Sequence, residues 1–402
     1  MKRTLFALAM SIAAMPALAQ DIISTVAGNG TPEYSGDGGQ ATSAGIFWPQ
    51  QVALIPGGGY YLGGGAQVRK IDANGTISTV AGNSIAGFSG DGGPATAATL
   101  SYMPSSIRRA ADGSLYLADY GNFRVRKIGT DGIIRTVAGN GSTVSQDGVQ
   151  ATSSGLLAPT GVDIDAAGNL YISEYSGCRV RKVDTRGIIT TVVGTGVCSS
   201  TGDGGAAKNA TIDQPWGVRL DTAGNLYIGE CNGNRIRKVD KAGNITTVPG
   251  SLGMDCPMNM DFDSVGNLYT AVYGALRIYR ITPGGVATVI AGNGRWGFSG
   301  DGGAAISAQF NGPRDVTVAQ GRLYIADGGN NRLRVVATNI SPQMPGSPPE
   351  PEPITTCASE GYRGTQLQWC VNICESGLSG RTLDTWIQRW LSRYRELPYC
   401  AK

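Results

Sequence analysis

The chain contains no histidine among its 402 residues. Histidine is the usual general base beside a catalytic serine or cysteine and a frequent zinc ligand, so its absence excludes Ser-His-Asp triads, Cys-His pairs and His-bound zinc. An excess of charge of one sign is also missing, because 33 basic and 30 acidic residues give a formal net charge of +3. That balance is too small to indicate a nucleic acid partner.

Long apolar runs are missing after residue 19, so the sequence predicts no transmembrane segment. The single such run, Leu5–Met15, follows the basic pair Lys2 and Arg3 and precedes the small-residue stretch Ala17–Ala19. It is too short to span a bilayer and has the three-part pattern of a secretory signal peptide. We predict a signal peptide over residues 1–19, cleaved after Ala19, and therefore an exported protein, either periplasmic or secreted.

Glycine and repetition are what the sequence has in abundance, with 61 glycines and one motif that recurs. The motif reads TVAGNG, then FSGDGG, then a proline about ten residues later. Its copies span Thr25–Pro49, Thr79–Pro104, Thr136–Pro159, Thr191–Pro215 and Thr288–Pro313. Equivalent glycines lie about 55 residues apart, and once about 42. A fixed period of this length indicates a repeat architecture.

The third repeat shows the secondary structure most clearly. Alternating or β-branched runs at Val162–Asp165, Leu170–Ile172, Arg179–Val183 and Ile188–Val193 are separated by Gly- and Asn-containing turns. This pattern predicts four antiparallel strands. Four strands repeated around an axis form one blade of a β-propeller.

Six such blades account for the chain from about residue 20 to residue 340. The first strands of the blades begin near Gln50, Ser105, Thr160, Trp216, Met258 and Arg314. The sixth repeat has only three strands, and the missing fourth is predicted at the start of the mature chain, over Ile22–Val26. We therefore predict an all-β, six-bladed propeller whose N-terminal strand closes the last blade and leaves no free repeat edge. Trimming residues 20–28 is expected to destabilise the whole ring.

The repeat motifs GNLYI, acid-x-x-G-N-x-R and RVRKI-D-x-x-G-x-ITTVAG resemble those of the NHL-repeat family over residues 22–340. The inserted GDGG loop is similar to the one in the propellers of teneurins and of many exported bacterial proteins. The resemblance implies a six-bladed propeller that binds a protein or another ligand. Some members of the family are enzymes, so the resemblance does not fix the function.

A Pro-rich extended linker is predicted over residues 341–356, followed by a small Cys-rich helical module over residues 357–402. Apolar residues at helical spacing from Leu383 to Tyr394 predict its longer helix. A module this short can bury only a small apolar core, so we expect disulfides to stabilise it. They are expected among its cysteines Cys357, Cys370, Cys374 and Cys400. Their pairing stays open. The arginines opposite the apolar face read as a solvated surface, and contact with an anionic envelope surface is the alternative.

Four further cysteines lie in the propeller. The turn between the second and third strands of a blade and the loop leaving the fourth strand share one face, which we call the top. Because Cys178 and Cys231 lie in such turns and Cys198 and Cys256 in such loops, we predict the disulfides Cys178–Cys198 and Cys231–Cys256. A four-cysteine zinc site is the alternative, but no C-x-x-C spacing supports it.

Charged residues recur in two motifs. An acid precedes an arginine in four blades, and we interpret these pairs as ion pairs that hold the top turns: Asp119 and Arg124, Glu174 and Arg179, Glu230 and Arg235, Asp327 and Arg332. In blade 5 the acid is replaced by Val272, so Arg277 is expected to need another partner, such as a ligand.

The GDGG loops carry Asp37, Asp91, Asp203 and Asp301 to the top, with a weaker copy at Asp147. Each loop offers one carboxylate, which is too few ligands for a calcium ion. We therefore expect each aspartate to accept backbone N–H hydrogen bonds in a tight turn.

The top mouth of the central channel is the predicted binding surface. Trp48, Tyr102 and Trp216 break the repeat symmetry, and a residue needed only for structure would recur. The predicted ligand-binding residues are Trp48, Tyr102, Trp216, Arg277, Arg314 and Asp315. They indicate a binding or interaction protein for a protein or glycan, without catalytic residues, metal or cofactor. The alternative is a calcium-dependent hydrolase or lyase at this mouth, using Asn259 and Asp315, with help from Glu174 or Glu230.

Overall fold

A computed structural model describes residues 21–337 of the chain. This part is built from β-strands and six single-turn 3₁₀ helices. The 3₁₀ helices span Ala41–Ser43, Ala95–Ala97, Tyr120–Asn122, Ala207–Asn209, Ala305–Ser307 and Gly328–Asn330. No helix within the described range has the length and apolarity needed to cross a membrane. The predicted signal peptide, linker and Cys-rich helical module lie outside the described residues.

The strands of the first three blades follow the predicted repeats. The described part of the chain begins with β1 (Ile22–Ala27). Blade 1 comprises β2 (Pro49–Leu54), β3 (Tyr60–Gly64), β4 (Gln67–Ile71) and β5 (Ile77–Ala81). Blade 2 comprises β6 (Pro104–Arg109), β7 (Leu115–Asp119), β8 (Arg124–Ile128) and β9 (Ile134–Ala138). Blade 3 comprises β10 (Val149–Gln150), β11 (Pro159–Ile164), β12 (Leu170–Glu174), β13 (Arg179–Val183) and β14 (Ile188–Val193).

The remaining blades have the same antiparallel order. Blade 4 comprises β15 (Pro215–Leu220), β16 (Leu226–Glu230), β17 (Arg235–Val239) and β18 (Ile245–Thr247). Blade 5 comprises β19 (Pro257–Phe262), β20 (Leu268–Val272), β21 (Arg277–Ile281) and β22 (Ala287–Ala291). Blade 6 comprises β23 (Pro313–Ala319), β24 (Arg322–Asp327) and β25 (Arg332–Ala337), with β1 as its fourth strand.

The ring is closed by the N-terminal strand, as predicted. β1 pairs antiparallel with β25 in a register that sets Ile22 opposite Ala337 and Ile23 opposite Val336. The first strands of successive blades contact one another in the closed order β2, β6, β11, β15, β19, β23 and back to β2. These six strands therefore line the central channel.

The apolar core lies between neighbouring blades rather than inside any one of them. The cluster that joins blades 3 and 4, for example, contains Val180, Ile212, Val218 and Ile228, all buried. Five further clusters of the same kind join the other neighbouring pairs of blades. Because a single blade cannot bury its apolar faces alone, the closed ring is the unit that is stable.

Turn chemistry at the end of each strand follows from the sequence. In blade 3, the carboxylate of Asp165 accepts hydrogen bonds from the backbone N–H groups of Ala167 and Asn169. Gly168 adopts a φ of 88°, a conformation that glycine reaches without steric cost. The turn reverses the chain tightly, so β11 and β12 pair as a hairpin.

The GDGG segments run along the outer edges of the blades, which differs from the top-face placement expected from the sequence. The N–H of Gly38 donates to Ile77 O and the N–H of Ala41 donates to Gly75 O, both at 2.8 Å. Asp37 consequently lies beside Thr79, in the middle of β5. In blade 3 the corresponding segment forms the short fifth strand β10 against β14. These segments cover the outermost strand, whose edge would otherwise be free to pair with another chain.

Candidate functional site

A buried arginine clamp holds each outer segment to its blade. In blade 2, Arg126 pairs with Asp119 at the end of β7 (3.4 Å) and with Asp91 of the GDGG segment (2.8 Å). The sequence predicts Arg124 as the partner of Asp119, which is wrong by two residues. Arg124 instead donates to the carbonyl oxygens of Asn122 and Asn140. The GDGG aspartate is therefore an ion-pair partner, and its oxygens are used by the fold.

The same clamp recurs around the ring. Its members are Arg181 with Asp147 and Glu174, Arg237 with Asp203 and Glu230, and Arg334 with Asp301 and Asp327. Blade 1 retains half of it, Arg69 with Asp37. Burial raises the pKa of Glu230 to about 7 and that of Asp327 to about 6, against the opposing effect of the paired arginines. These carboxyls are thus structural groups in a dry environment.

Blade 5 has lost the whole clamp. Val272 stands in place of the acid, Tyr279 in place of the arginine, and the loop before β19 has no GDGG motif. Arg277 nevertheless keeps the structural contact made by its equivalents, since it donates to Asn293 O at 3.3 Å. Arg277 therefore has a partner within the protein, the carbonyl oxygen of Asn293, in place of the missing acid.

Arg314 is the exception among the buried arginines. Seven arginines are buried in the described part of the chain, and six of them form salt bridges with carboxylates. The seventh, Arg314, is 8% exposed, and its guanidinium has no hydrogen bond or ion pair among residues 21–337. Burial lowers the pKa of Arg314, because removal of water disfavours the charged form.

Aromatic rings take the place of the missing carboxylate. The guanidinium carbon of Arg314 lies 5.6 Å from the ring centroid of Trp48, 5.5 Å from that of Trp216 and 4.9 Å from that of Tyr273. Tyr175 extends this wall through an edge-on contact with Trp216, with centroids 5.5 Å apart. We call these four rings and Arg314 the mouth cluster. Cation–π contacts at these distances hold the guanidinium while leaving its N–H groups unused.

The fold supplies these side chains from five blades. Arg314 and Trp216 are the second residues of the innermost strands β23 and β15, at the top end of the channel. Tyr273 and Tyr175 directly follow the second strands of blades 5 and 3. Trp48 precedes the proline that opens β2 and has a left-handed φ of 47°, a conformation that is strained for a bulky residue. The aromatic groups therefore converge on one point although they are far apart in sequence.

Two further buried polar groups at this level have no partner. The side-chain oxygen and nitrogen of Gln50, which is 1% exposed, make no hydrogen bond with any described residue, and the same holds for Trp216 Nε1 and Arg314 Nε. Gln50 occupies the register position of Arg314 in the neighbouring strand β2. Buried polar groups are normally paired, so unpaired ones at a channel mouth indicate a binding site.

Asp315 faces away from Arg314, into the channel wall. Its carboxylate accepts hydrogen bonds from Val52 N and Thr317 Oγ1, both at 3.0 Å. Burial raises the pKa of Asp315 to about 7, and the negative charge of Asp261 acts in the same direction. The fold uses this carboxyl to join blade 6 to blade 1.

Below the mouth, the channel carries a belt of alternating charge. Arg108 contacts Asp163 at 2.7 Å, and Arg219 lies 3.7 Å from Asp163 and 2.5 Å from Asp261. All four are the fifth residues of their innermost strands. Burial raises the pKa of both aspartates, that of Asp261 to about 6. The belt balances its own charge and provides no partner for Arg314.

The candidate calcium ligands at the mouth are engaged in other contacts. Asn259 donates its side-chain amide to Arg314 O, and the acids considered as helpers, Glu174 and Glu230, are buried in the arginine clamps. One group of three metal-ligand side chains occurs in the described part of the chain, formed by Cys178, Cys198 and Asp213. Its two sulfur atoms are bonded to each other, so it is not a thiolate metal site.

Tyr102 belongs to a separate aromatic row. It is exposed and meets Phe47 edge-on at 5.0 Å, and Phe47 in turn lies 5.7 Å from Tyr34. The structure thus brings together Trp48, Trp216 and Arg314, places Asp315 just below them, and leaves Tyr102 and Arg277 in other contacts. Tyr273, Tyr175 and Gln50 were missed as site residues.

Both predicted propeller disulfides are present, Cys178–Cys198 and Cys231–Cys256. Disulfides persist in oxidising compartments and are rare in the cytosol. They therefore indicate an extracellular or exported protein.

Two family descriptions match segments of the propeller. The teneurin NHL domain matches residues 137–201 and 196–263, and the NHL repeat matches residues 310–336. Mouse teneurin-3 is 30% identical over 235 residues, and zebrafish teneurin-3 is 29% identical over 229 residues. Each alignment covers 51% of this chain and 8% of the teneurin. The chain therefore spans less than a tenth of the length of these relatives.

Solved structures share the fold at low sequence identity. An auxiliary nutrient binding protein from Bacteroides thetaiotaomicron superposes with a TM-score of 0.56 at 18% identity, covering 81% of this chain and 78% of that one. A protein of unknown function from the same organism gives 0.57 at 18% identity, covering 79% and 76%. These similarities show the fold alone. The matched segments, residues 137–263 and 310–336, are thus NHL-type repeats within a closed six-bladed β-propeller.

Proposed function

We propose that the protein is an exported, non-catalytic binding protein that recognises a protein or glycan ligand at the top mouth of its propeller. One observation carries the proposal. Arg314 is buried, charged and without a carboxylate, whereas the six other buried arginines are paired. A buried charge without a partner costs free energy, so its retention is explained by a ligand that completes it.

The surroundings of Arg314 support binding rather than catalysis. The mouth cluster offers aromatic faces and hydrogen-bond donors, which are typical of recognition surfaces. The acids nearest to it are used in blade contacts, and the chain contains no histidine. One structural neighbour is named as an auxiliary nutrient binding protein, and a binding role is what we propose for this chain.

Location in the periplasm or outside the cell is part of this proposal. The signal-peptide pattern over residues 1–19 and the two disulfides support it. The Cys-rich module over residues 357–402 is proposed as a second contact with the envelope.

Binding to cell envelope isolated from the producing organism tests the proposal. The full-length protein is compared with Arg314→Met and with the control Arg186→Met, which removes an exposed arginine paired with Asp184. We expect the Arg314 variant to lose binding and the control to retain it. Equal binding by all three proteins would contradict recognition at the mouth.

The alternative, a calcium-dependent hydrolase or lyase, predicts one calcium ion per chain that is lost in Asn259→Ala. Calorimetric titration with calcium separates the two functions. The binding proposal expects no saturable heat at the mouth, and the same small signal in both proteins.

A further inference from the structure

The charge at the mouth selects the anion. Arg314 is the single cation of the mouth cluster, and the belt below it is neutral as a whole because two arginines face two aspartates. Asp315, directly below, adds negative charge whenever it is ionised. A doubly charged phosphate would meet too little positive charge here. A carboxylate carries one charge and matches the planar fork of a guanidinium.

The rings around Arg314 select what the carboxylate is attached to. Trp48 and Tyr273 are 37% and 38% exposed, and both approach the guanidinium, so their free surfaces border the place where the anion would lie. Aromatic faces of this kind pack against the C–H face of a ring. An aspartate or glutamate side chain has only one or two methylene groups and would leave this surface uncovered.

The unpaired polar groups also favour a sugar as the ligand. Gln50 offers a donor and an acceptor, and Trp216 Nε1 offers a donor, none of which has a partner among the described residues. Hydroxyl groups both donate and accept, so a hydroxylated ring can satisfy all of them.

We infer that the mouth cluster binds a hexuronate residue of a glycan, with its carboxylate on Arg314, its C–H face on Trp48 or Tyr273, and its hydroxyls on Gln50 and Trp216 Nε1. This inference rests on the proposed function and narrows its ligand to one chemical class. It treats the unpaired groups, which come from blades 1, 4 and 6, as a single site.

Calorimetric titration of the full-length protein at pH 7 tests the inference. The probes are trigalacturonate, a glucuronate-terminated disaccharide, the methyl ester of trigalacturonate, and an acetylated tripeptide ending in phenylalanine with a free carboxylate. The variants are Arg314→Met, Arg314→Lys and the control Arg186→Met. We expect at least one uronate to bind, and its binding to weaken about 10-fold or more when either the charge of Arg314 or that of the carboxylate is removed. Arg314→Lys keeps the positive charge but not the planar, two-pronged guanidinium. Its affinity for the uronate is expected to lie between those of the parent and of Arg314→Met.

Three results would overturn the inference. They differ in whether they also contradict the proposed function. Binding of the peptide but not of either uronate assigns the mouth to a protein partner. No binding of any probe, with envelope binding still dependent on Arg314, removes the hexuronate and leaves the proposed function. Envelope binding that is indifferent to Arg314→Met removes both. Thermal unfolding of each variant shows whether it is folded, so that a lost interaction is not confused with a lost fold.

Discussion

The guanidinium carbon of Arg314 lies 5.5 Å from the ring centroid of Trp216, across the mouth of a channel that both residues enter from innermost strands. The pair joins blade 6 to blade 4. In the clamps, by contrast, Arg237 meets Glu230 within its own blade at 3.2 Å. The protein thus places buried arginines in two environments, one that completes their charge and one that leaves it available.

Replacing Arg314 is expected to leave stability unchanged or to raise it. Arg314→Met removes a buried, unpaired charge and keeps most of the side-chain volume, so the free energy of unfolding should stay within about 1 kcal/mol of the parent or exceed it. Urea denaturation followed by tryptophan fluorescence measures this. A loss of several kcal/mol would mean that Arg314 has a structural role instead.

Replacing a clamp arginine is expected to have the opposite effect. Arg237→Met leaves Glu230 buried without its cation, and breaking a buried pair in this way costs about 3–5 kcal/mol. The same denaturation assay compares it directly with Arg314→Met, which makes the two variants matched controls for each other. Similar stabilities for both would contradict the distinction between paired and unpaired arginines.

The N-terminal strand is expected to be essential for the ring. A chain that starts at Gly28 leaves β25 unpaired along its outer edge and loses Ile23, whose burial alone contributes about 1.5–3 kcal/mol. We expect a lower unfolding temperature and aggregation through the free edge, compared with a chain that starts at Asp21. A synthetic peptide of residues 21–28 should restore part of the stability. Unchanged unfolding after the deletion would show that blade 6 does not need β1.

The disulfide Cys178–Cys198 closes a loop with a sequence separation of 20 residues. Such a loop corresponds to about 3 kcal/mol of stability. The double variant Cys178→Ala, Cys198→Ala should therefore be destabilised by about that amount when compared with the oxidised parent. The reduced parent serves as the second reference. A loss well below 1 kcal/mol would show that the loop is held by other contacts.

Asp315 is expected to make stability fall as pH rises. Its pKa is about 7 in the folded protein and about 3.9 in an unfolded chain, so between these values the folded state binds the extra proton. Stability then declines with increasing pH across that window and levels off above it. Asp315→Asn keeps an acceptor for Val52 N and removes this titration. Other buried acids titrate in the same range, so the test is the difference between parent and variant from pH 4.5 to 7.5. A flat difference would contradict the raised pKa.

Much of the fold was predictable because each repeat carries its own turn residues and alternating strands. The blade count, the closing strand and both propeller disulfides follow from that periodicity. The partner of Asp119 did not, because Arg124 lies directly opposite it in the β7–β8 register, while the side chain that reaches it comes from Arg126. The register alone does not fix the partner, because Arg124 donates to Asn122 O and Asn140 O while Arg126 reaches Asp119 from two residues further along β8.

The candidate site was predictable in part for a related reason. Trp48, Trp216 and Arg314 stand out because they break the repeat at the channel mouth. Tyr273 is similar to Tyr120 and Tyr175 in its position after the second strand, so nothing local sets it apart. Its contact with Arg314 arises from the packing of blade 5 against blade 6, which sequence spacing within one blade does not describe. Gln50 likewise became informative only once its amide was found to have no partner.

A crystal structure of the full-length protein with a bound hexuronate trisaccharide tests the central claim most directly. The account predicts the carboxylate within about 3 Å of the Arg314 guanidinium nitrogens, as in charge-assisted pairs, and a sugar face against Trp48 or Tyr273. A trisaccharide bound elsewhere on the propeller, with Arg314 still unpaired at saturating ligand, would contradict it.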